Sequence, residues 1–474
     1  MNDVHSPIAA PNGLAPARLR LVMALVTGAL FMEILDGTIV TTALPSMARA
    51  FGGSVLGMNV GVSAYLFALG VFIPVSGWIA DRFGARKIFT SALLAFTLAS
   101  ALCGLTRTLT DFVVLRAIQG GAGAMMVPVG RLIVMRFTPK DRLMAALTSL
   151  TWPALIAPVL GPPLGGFITE HLGWRWIFYL NAPLGVCALV AALALVPDAY
   201  GETRRPFDWP GFVLCGVGTL TILIALETAE ARANVSALAY FVGGLAVLAV
   251  AVRHLWRAKA PLMSLAAYAI PTFRASLRGG SCVRMAIGAA PFLLPLMFQA
   301  GFGFDPFHAG LLLLSLFAGN LGMKTVTTPI LRRFGYRPVL IANGVLSAAS
   351  LAACALIDRG TPLLATVAIL FAGGMTRSLQ FTTLSTLAFA DVPRPHLSDA
   401  NGLFATVNQI GGAAGIALAA LAVRGAGVAS RTAGVTDASV PYRLAFLILA
   451  LVALVGVADT AKLPAGAGNA FVKG

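Results

Sequence analysis

Apolar runs of about 20 residues recur along almost the whole of this chain, and that pattern limits the folds open to it more than any other feature. A hydrocarbon core of roughly 30 Å is crossed by about 20 residues of helix. Inside it every backbone donor and acceptor has to be satisfied within the segment, so each run is expected to be a membrane-spanning helix. Hydropathy places fourteen of them, near 20–44, 57–79, 88–106, 111–135, 144–168, 176–196, 209–227, 235–252, 279–301, 308–330, 338–357, 362–390, 399–423 and 442–461. Of 474 residues, 58% are hydrophobic and 11% charged, against about 25% charged in soluble chains, so spans, loops and tails use the length and leave no room for a water-soluble catalytic domain. The polar stretch up to Leu19, followed by a run long enough to span, points to a retained first helix and not a cleaved signal peptide.

A net charge of +16 would suggest a nucleic-acid partner in a soluble protein. Here the Lys and Arg fall in short loops, so orientation accounts for the basicity and no nucleic acid is implied. With the N-terminus inside, 21 of the 34 Lys and Arg face the cytoplasm, 8 face outward and 5 lie within spans. That asymmetry places both termini in the cytoplasm of an inner or plasma membrane and asks for an even number of spans. The five cysteines sit in apolar runs without a CxxC pair and the five histidines sit in tails or loops, so no disulfide framework, metal site or histidine relay is expected. No GxxxxGK[ST] run is present, so ATP is not the expected energy source, and nothing points to a cofactor.

The loop Arg82-Phe83-Gly84-Ala85-Arg86 returns 251 residues later as Arg333-Phe334-Gly335-Tyr336-Arg337, eight spans on. Arg116-x-x-Gln119 returns as Arg377-x-x-Gln380 with the same eight-span separation. A six-helix unit repeated at that offset leaves two helices between its copies. The expected fold is therefore an all-α integral membrane protein: a tail over 1–19, a six-helix bundle over 20–196, a linker over 197–278 holding two extra spans, a second six-helix bundle over 279–461 and a tail over 462–474. Spans 7 and 8 carry almost no polar residues and are expected to be structural and peripheral.

Between spans 2 and 3 the chain reads Gly77-x-x-x-Asp81-Arg82-x-Gly84-x-Arg86-Lys87. Gly77 lets another helix approach, Gly84 permits a tight turn, and Asp81 can accept bonds from a helix N-terminus or an Arg across an interface. In span 5, Gly161-Pro162-Pro163-Leu164-Gly165-Gly166 sets Gly161 and Gly165 on one face, while the prolines favour a bend. Two of the eighteen acids lie deep in a span, Glu33 and Asp36, three apart and so on one face. Each costs a few kcal/mol to bury ionised, which makes it a candidate for a reversible proton carrier or for half of a structural ion pair. Arg116 lies at matching depth in span 4 and is the expected partner of Asp36, with outward snorkelling as the alternative. Arg131, Arg284 and Lys324 lie near the cytoplasmic ends of their spans and can snorkel, whereas Arg377, deep in span 12, has to face a cavity or a partner. Gln380, Asn320, Lys324 and Asn408 join Arg377 as candidates to line a substrate cavity, against the competing role of interhelical hydrogen bonds.

The 77–87 loop resembles the hallmark cytoplasmic loop of the major facilitator superfamily, and the 161–166 run resembles its antiporter signature, with Ala157 in place of the first glycine. Leu35-Asp36-Gly37-Thr38-Ile39-Val40 with Ala43-Leu44-Pro45, and the run from Trp174 to Pro183, look like the fourteen-span drug:proton antiporter branch of the EmrB/QacA type. Pro306-Phe307-His308-Ala309-Gly310 and the run from Gly121 to Arg131 are similar to its MdtD-like subgroup. The likeness covers nearly the whole chain. It implies a major facilitator fold and a non-enzymatic, proton-coupled efflux antiporter that exports small molecules of multidrug type by alternating access. By resemblance, Asp36, Glu33, Arg116 and Gln119 would couple protons. Gly77, Asp81, Arg82, Gly84, Arg86 and Lys87 would form a conformational latch, and Gly161, Pro162, Gly165 and Gly166 the antiporter motif. The second loop has Arg332 where Asp81 stood, so only the first half is expected to latch. The implied partners are a small-molecule substrate, protons and the lipid bilayer, and a periplasmic adaptor protein is left open.

Five span cations against two acids leave the spans at +3. A cationic drug roughly 6 Å from an uncompensated cation, at an effective dielectric near 20, is disfavoured by about 3 kcal/mol. The alternative cargo is therefore an anionic metabolite, or an organic acid or its metal chelate. A membrane sensor on a transporter scaffold is a more distant reading. An intramembrane enzyme would need a nucleophile, base or metal constellation that the sequence does not display.

Overall fold

The computed structural model describes residues 14–52, 55–150, 153–201, 205–231, 235–435, 437–464 and 466–468, and among these every regular element is helical. The long helices are α1 (Pro16–Phe51), α2 (Val55–Phe72, carried through a short 3-10 turn at Pro74 into Ser76–Phe83), α3 (Ala85–Leu105), α4 (Leu109–Phe137), α5 (Pro153–His171), α6 (Asn181–Leu195) and α7 (Trp209–Ala231). They continue as α8 (Val235–Arg257), α9 (Gly279–Leu296), α10 (Pro306–Phe334), α11 (Tyr336–Leu356), α12 (Leu363–Ala390), α13 (Leu397–Thr432) and α14 (Val440–Thr460). Among the described residues thirteen helical segments are long and apolar enough to cross a membrane, so the chain is a multi-pass membrane protein. The expected fifth span, 144–168, is divided between a helix over Lys140–Ser149 and α5, and its residues 151 and 152 fall outside the described residues.

The pairing of helices repeats. In the first half α2 packs on α4, α3 on α4, α1 on α5, and α6 on both α1 and α3. Eight helices further on, α10 packs on α12, α11 on α12, α9 on α13, and α14 on both α9 and α11. Glycines set the closest of these approaches. Gly120 of α4 lies against the Tyr65 carbonyl of α2, and Gly374 of α12 lies against the Leu316 carbonyl of α10, with no space for a methyl group at either position. The echoed loops repeat in backbone conformation too. Gly84 has φ 94° and Gly335 has φ 77°, left-handed values that glycine adopts without strain. Arg86 donates to the Leu193 carbonyl at the end of α6, and Arg337 donates to the Ala461 carbonyl just past α14. Each arginine thus caps the helix that closes its own half.

Helices α7 and α8 form a hairpin between the two sets. Asp208 anchors its basic end, accepting from the Gly211 amide at 2.9 Å, the Leu262 amide at 3.0 Å and His254 at 2.8 Å. Burial opposes ionisation of this carboxyl, but the bonds from Gly211, His254 and Leu262 outweigh it and hold the group below its ordinary carboxylate value. The peripheral placement expected for this pair describes α8, whose outer face is exposed, but not α7, which packs against both α2 and α13. Helix α7 also runs one turn beyond the expected end of span 7. Glu227, the last residue of the expected span, therefore lies inside the helix, where it is half-buried and accepts a hydrogen bond from Ser63 of α2.

Overpacking a backbone-to-backbone contact costs about 1–3 kcal/mol. Gly120→Ala and Gly374→Ala are each expected to lower the unfolding temperature of the detergent-solubilised protein, while Gly412→Ala, which opens onto free space, leaves it unchanged. Equal melting of all three would disprove the role given to these contacts.

Candidate functional site

Four helices of the first half converge on one carboxylate. Asp36 of α1 is fully enclosed, as is Arg116 of α4, whose Nη1 donates to Asp36 Oδ2 at 2.6 Å and to Gln119 Oε1 at 2.7 Å. Gln119 Nε2 donates to Asp36 Oδ1 at 3.0 Å, and Asn181 Nδ2 from the first turn of α6 donates to the same oxygen at 2.8 Å. Asn181 also donates to Ser100 Oγ of α3 at 3.0 Å, and that hydroxyl donates to the Phe178 carbonyl. The close approach at Gly120 brings α2 against α4 and lays the Tyr65 ring 4.3 Å from the Arg116 guanidinium. Arg116 Nε and Nη2 and the Tyr65 hydroxyl have no protein partner. Arg116 lies seven residues from the start of α4, about 10 Å along it, so the network occupies the half of the bundle away from the basic loops.

Glu33 lies one turn from Asp36 and outside this network. It is half-buried, its Oε2 has no protein partner, and it shares a small gap beside Gly123 with the Tyr65 hydroxyl. Three of the four residues expected to couple protons are therefore in direct contact, and the fourth is separate. Asn181, Ser100 and Tyr65 were not among the expected site residues. Asn181 stands in the run from Trp174 to Pro183 and was recoverable from it, whereas a single Ser or Tyr in an apolar run carries no signal.

Helix α5 packs directly on the part of α1 that carries Asp36. Gly161 lies against Thr38, and Gly165 lies against Thr42 and the Ile39 carbonyl, where a methyl group would stand 2.8 Å from the oxygen. Gly166 opens onto free space, and Pro162 lies in α5 with its side chain outside the described residues.

At the basic end, Asp81 pairs with Arg136 at the end of α4, and its carbonyl accepts from Gly201 at 3.0 Å. Arg86 lies 3.5 Å from Asp198, and Arg82 and Lys87 are exposed. Gly77 meets Ser398 of α13, where a methyl group would stand 3.0 Å from the carbonyl oxygen. Two further contacts join the halves here, Asn401 Nδ2 to the Pro128 carbonyl at 2.8 Å and Arg131 over the Phe404 ring at 5.7 Å. Arg205 of the linker pairs with Asp399 at 2.9 and 3.1 Å, and Arg284 lies 5.1 Å from the same Phe404 ring within the second half.

In the second half Arg377 is half-buried and donates to the Ile287 carbonyl at 3.2 Å. Arg377 thus ties α12 to the backbone of α9, whereas Arg116 ties α4 to the carboxylate of α1. Gln380, expected to line a cavity, is instead fully enclosed between α11 and α12. Its Oε1 accepts from Asn343 at 2.8 Å and its Nε2 donates to the Leu340 carbonyl at 3.3 Å, so it ties two helices together. Asn320 is likewise enclosed where α10 meets α12, and Asn408 is half-buried. Lys324 and Arg284 do not snorkel: Lys324 donates to Thr382 and Arg284 to the Ser276 carbonyl, both from buried positions.

The family model of the Major Facilitator Superfamily matches residues 26–416 and 279–464. The chain is 38% identical over 461 residues to a protein of Cronobacter sakazakii named "Putative multidrug resistance protein MdtD", covering 95% of this chain and 96% of that one. A protein of the same name from Pectobacterium atrosepticum is 40% identical over 408 residues, covering 86% and 87%. The fold resembles the human organic anion transporter MFSD10 (TETRAN), with a TM-score of 0.66 at 13% identity over 94% of this chain and all of that one. It also resembles the proton:xylose symporter XylE, with a TM-score of 0.66 at 12% identity over 95% and 97%. Neither relative nor fold neighbour is an enzyme by name, and every regular element among the described residues is helical. The chain belongs to the major facilitator superfamily, as a transporter of its MdtD-like group.

Proposed function

We propose that the protein is a proton-coupled efflux antiporter that exports small lipophilic molecules by alternating access, with two six-helix bundles flanking an inserted pair and the basic end on the cytoplasmic side of an inner membrane. The observation that carries this reading is the enclosure of the Asp36 carboxylate by Arg116, Gln119 and Asn181. Charge-assisted bonds of this kind depend on the ionised carboxylate. A proton on Asp36 weakens all three and leaves the Arg116 charge buried without its counter-ion, a state costly enough to drive rearrangement. Because α5 packs on the same stretch of α1 and also touches α10 in the other half, strain at Asp36 has a mechanical route across the interface. The contacts at the basic end, from Gly77 against Ser398 to Asn401 on Pro128, hold the halves together there and fit an outward-facing state. The multidrug name of the relatives supports the cargo class.

One observation favours a second cargo. The inner parts of α9–α14 hold Arg284, Lys324 and Arg377, while the described acids of that half lie in loops or at helix ends. A half-buried Arg377 bonded only to backbone suits an anionic group better than a lipophilic cation. A transport panel in inverted vesicles, comparing organic acids with quaternary ammonium dyes, separates the two. Efflux of the dyes alone, insensitive to Arg377→Ala, would remove the anionic reading.

In proteoliposomes with an imposed pH gradient, Asp36→Asn is expected to abolish gradient-driven efflux, because the amide that replaces the carboxylate cannot take up and release a proton. Wild-type coupling in this variant would eliminate Asp36 as the carrier, and inactivity of Glu33→Gln alone would move the proton one turn along α1. Arg116→Ala should destabilise the fold by about 3–5 kcal/mol, because a buried carboxylate is left unpaired. Adding Asp36→Asn should recover part of that loss in thermal unfolding. Gly165→Leu is expected to insert normally but to stall in one conformation, seen as side-chain labelling from one face of the membrane only; labelling from both faces would mean that the α5 contact carries no motion.

A further inference from the structure

The inserted hairpin has a mechanical assignment that its polarity does not suggest. From Gly70 outward, α7 stands between α2 and α13, the two helices that touch directly at Gly77 and Ser398 nearer the basic end. Its two contact faces differ in kind. Toward α2 they interlock: Ser63 donates to Glu227, Gly70 leaves space into which Leu223 and Thr219 project, and Gly216 lies against Val71 at 3.2 Å for a methyl group. Below these, Phe72 meets Phe212 with centroids 6.0 Å apart, and Trp78 meets Phe207 at 4.7 Å. Trp78 also donates to the Arg205 carbonyl in the linker that leads into α7. Toward α13 the core of the contact is smooth and apolar, with Ile222 and Leu226 against Ile410, Ala413, Ala414 and Ala417. Small side chains of this sort let helices shift along each other at low cost, whereas hydrogen bonds and aromatic edges hold position.

We infer that α7 is a wall that travels with the first half: it is locked to α2, slides on the alanine face of α13, and seals the lateral seam between α2 and α13 against the bilayer. Cargo dissolved in the membrane then reaches the space between the halves past α5 and α10 and not past α2 and α13. The inference rests on the alternating-access reading proposed above, and its test separates the two.

Two cysteine pairs are placed in a background without the five native cysteines, each joined by a short bis-methanethiosulfonate that reductant removes. Val71→Cys with Gly216→Cys links α7 to α2. Leu226→Cys with Ala417→Cys links α7 to α13. Two readouts are taken: gradient-driven dye efflux in proteoliposomes, and hydrogen exchange of residues 397–402, which reports separation of the basic-end seam without any cargo. The α2 link is expected to leave both unchanged. The α13 link should abolish efflux and keep 397–402 protected, and both should recover with reductant. Free exchange at 397–402 with the α13 link in place, or its suppression by the α2 link, overturns the assignment. If the reduced proteins export no dye while 397–402 still responds to the links as stated, the cargo reading fails and the role of α7 stands.

Discussion

An ion pair shut away from water is the constraint around which the first half is organised. Moving either ion of the Asp36–Arg116 pair out of water costs several kcal/mol, and attraction between them recovers this only with good geometry and further bonds. The surrounding helices provide those bonds: Gln119 one turn along α4, Asn181 from α6, and Ser100 from α3 to orient Asn181. Glycines decide whether the supports can come close enough, at Gly120 for α2 and at Gly161 and Gly165 for α5. Satisfaction is nevertheless incomplete, since Arg116 keeps two nitrogens without a protein partner. A network built for stability alone would have been cheaper as packed hydrocarbon, and this one sits where loss of a single charge would upset several helices at once.

The two halves share a scaffold and differ in chemistry. Helix pairings, loop glycines and the arginine caps on α6 and α14 repeat at a constant offset. The acids do not. Arg332 stands where the first loop has Asp81, while Arg377 turns to a carbonyl of α9 and Gln380 to the neighbouring helix α11. The first half therefore holds the carboxylate buried mid-helix, at Asp36, and the salt bridge of the echoed loop, at Asp81. The other keeps cations that have found hydroxyl and carbonyl partners.

Much of this was legible from residue order. Spans follow from the thickness of the bilayer, and the repeat from two short echoes. The meeting of Asp36 with Arg116 follows from depth along two helices, because rise per residue converts position into height. Rotation about the helix axis is what residue order conveys poorly in a chain that is apolar on all sides. Gln380 sits at a cavity's depth yet turns into a helix contact, and Lys324 and Arg284 lie near enough to a surface to reach it but bond inward. Low polarity likewise concealed the place of α7, since a helix against lipid and a helix against alanine-rich protein are composed alike. Asn181 was visible as a letter in a motif, but the third contact it makes with Asp36 depends on how α6 enters the bundle.

The glycine contacts that join α2 to α4 and α10 to α12 have a bearing on how such a protein can change over generations. At Gly120 and Gly374 a single added methyl collides with a carbonyl of the partner helix, so these positions tolerate almost no mutation. The same holds for residues whose side chains complete the Asp36 network. Variation that alters cargo range without loss of the machine is thereby funnelled to side chains that are only half enclosed and make few bonds, such as Asn408 and Gln409 of α13. A scaffold this rigid at its glycines confines adaptation to a narrow strip of its own interior, and diversity among its descendants would be written there.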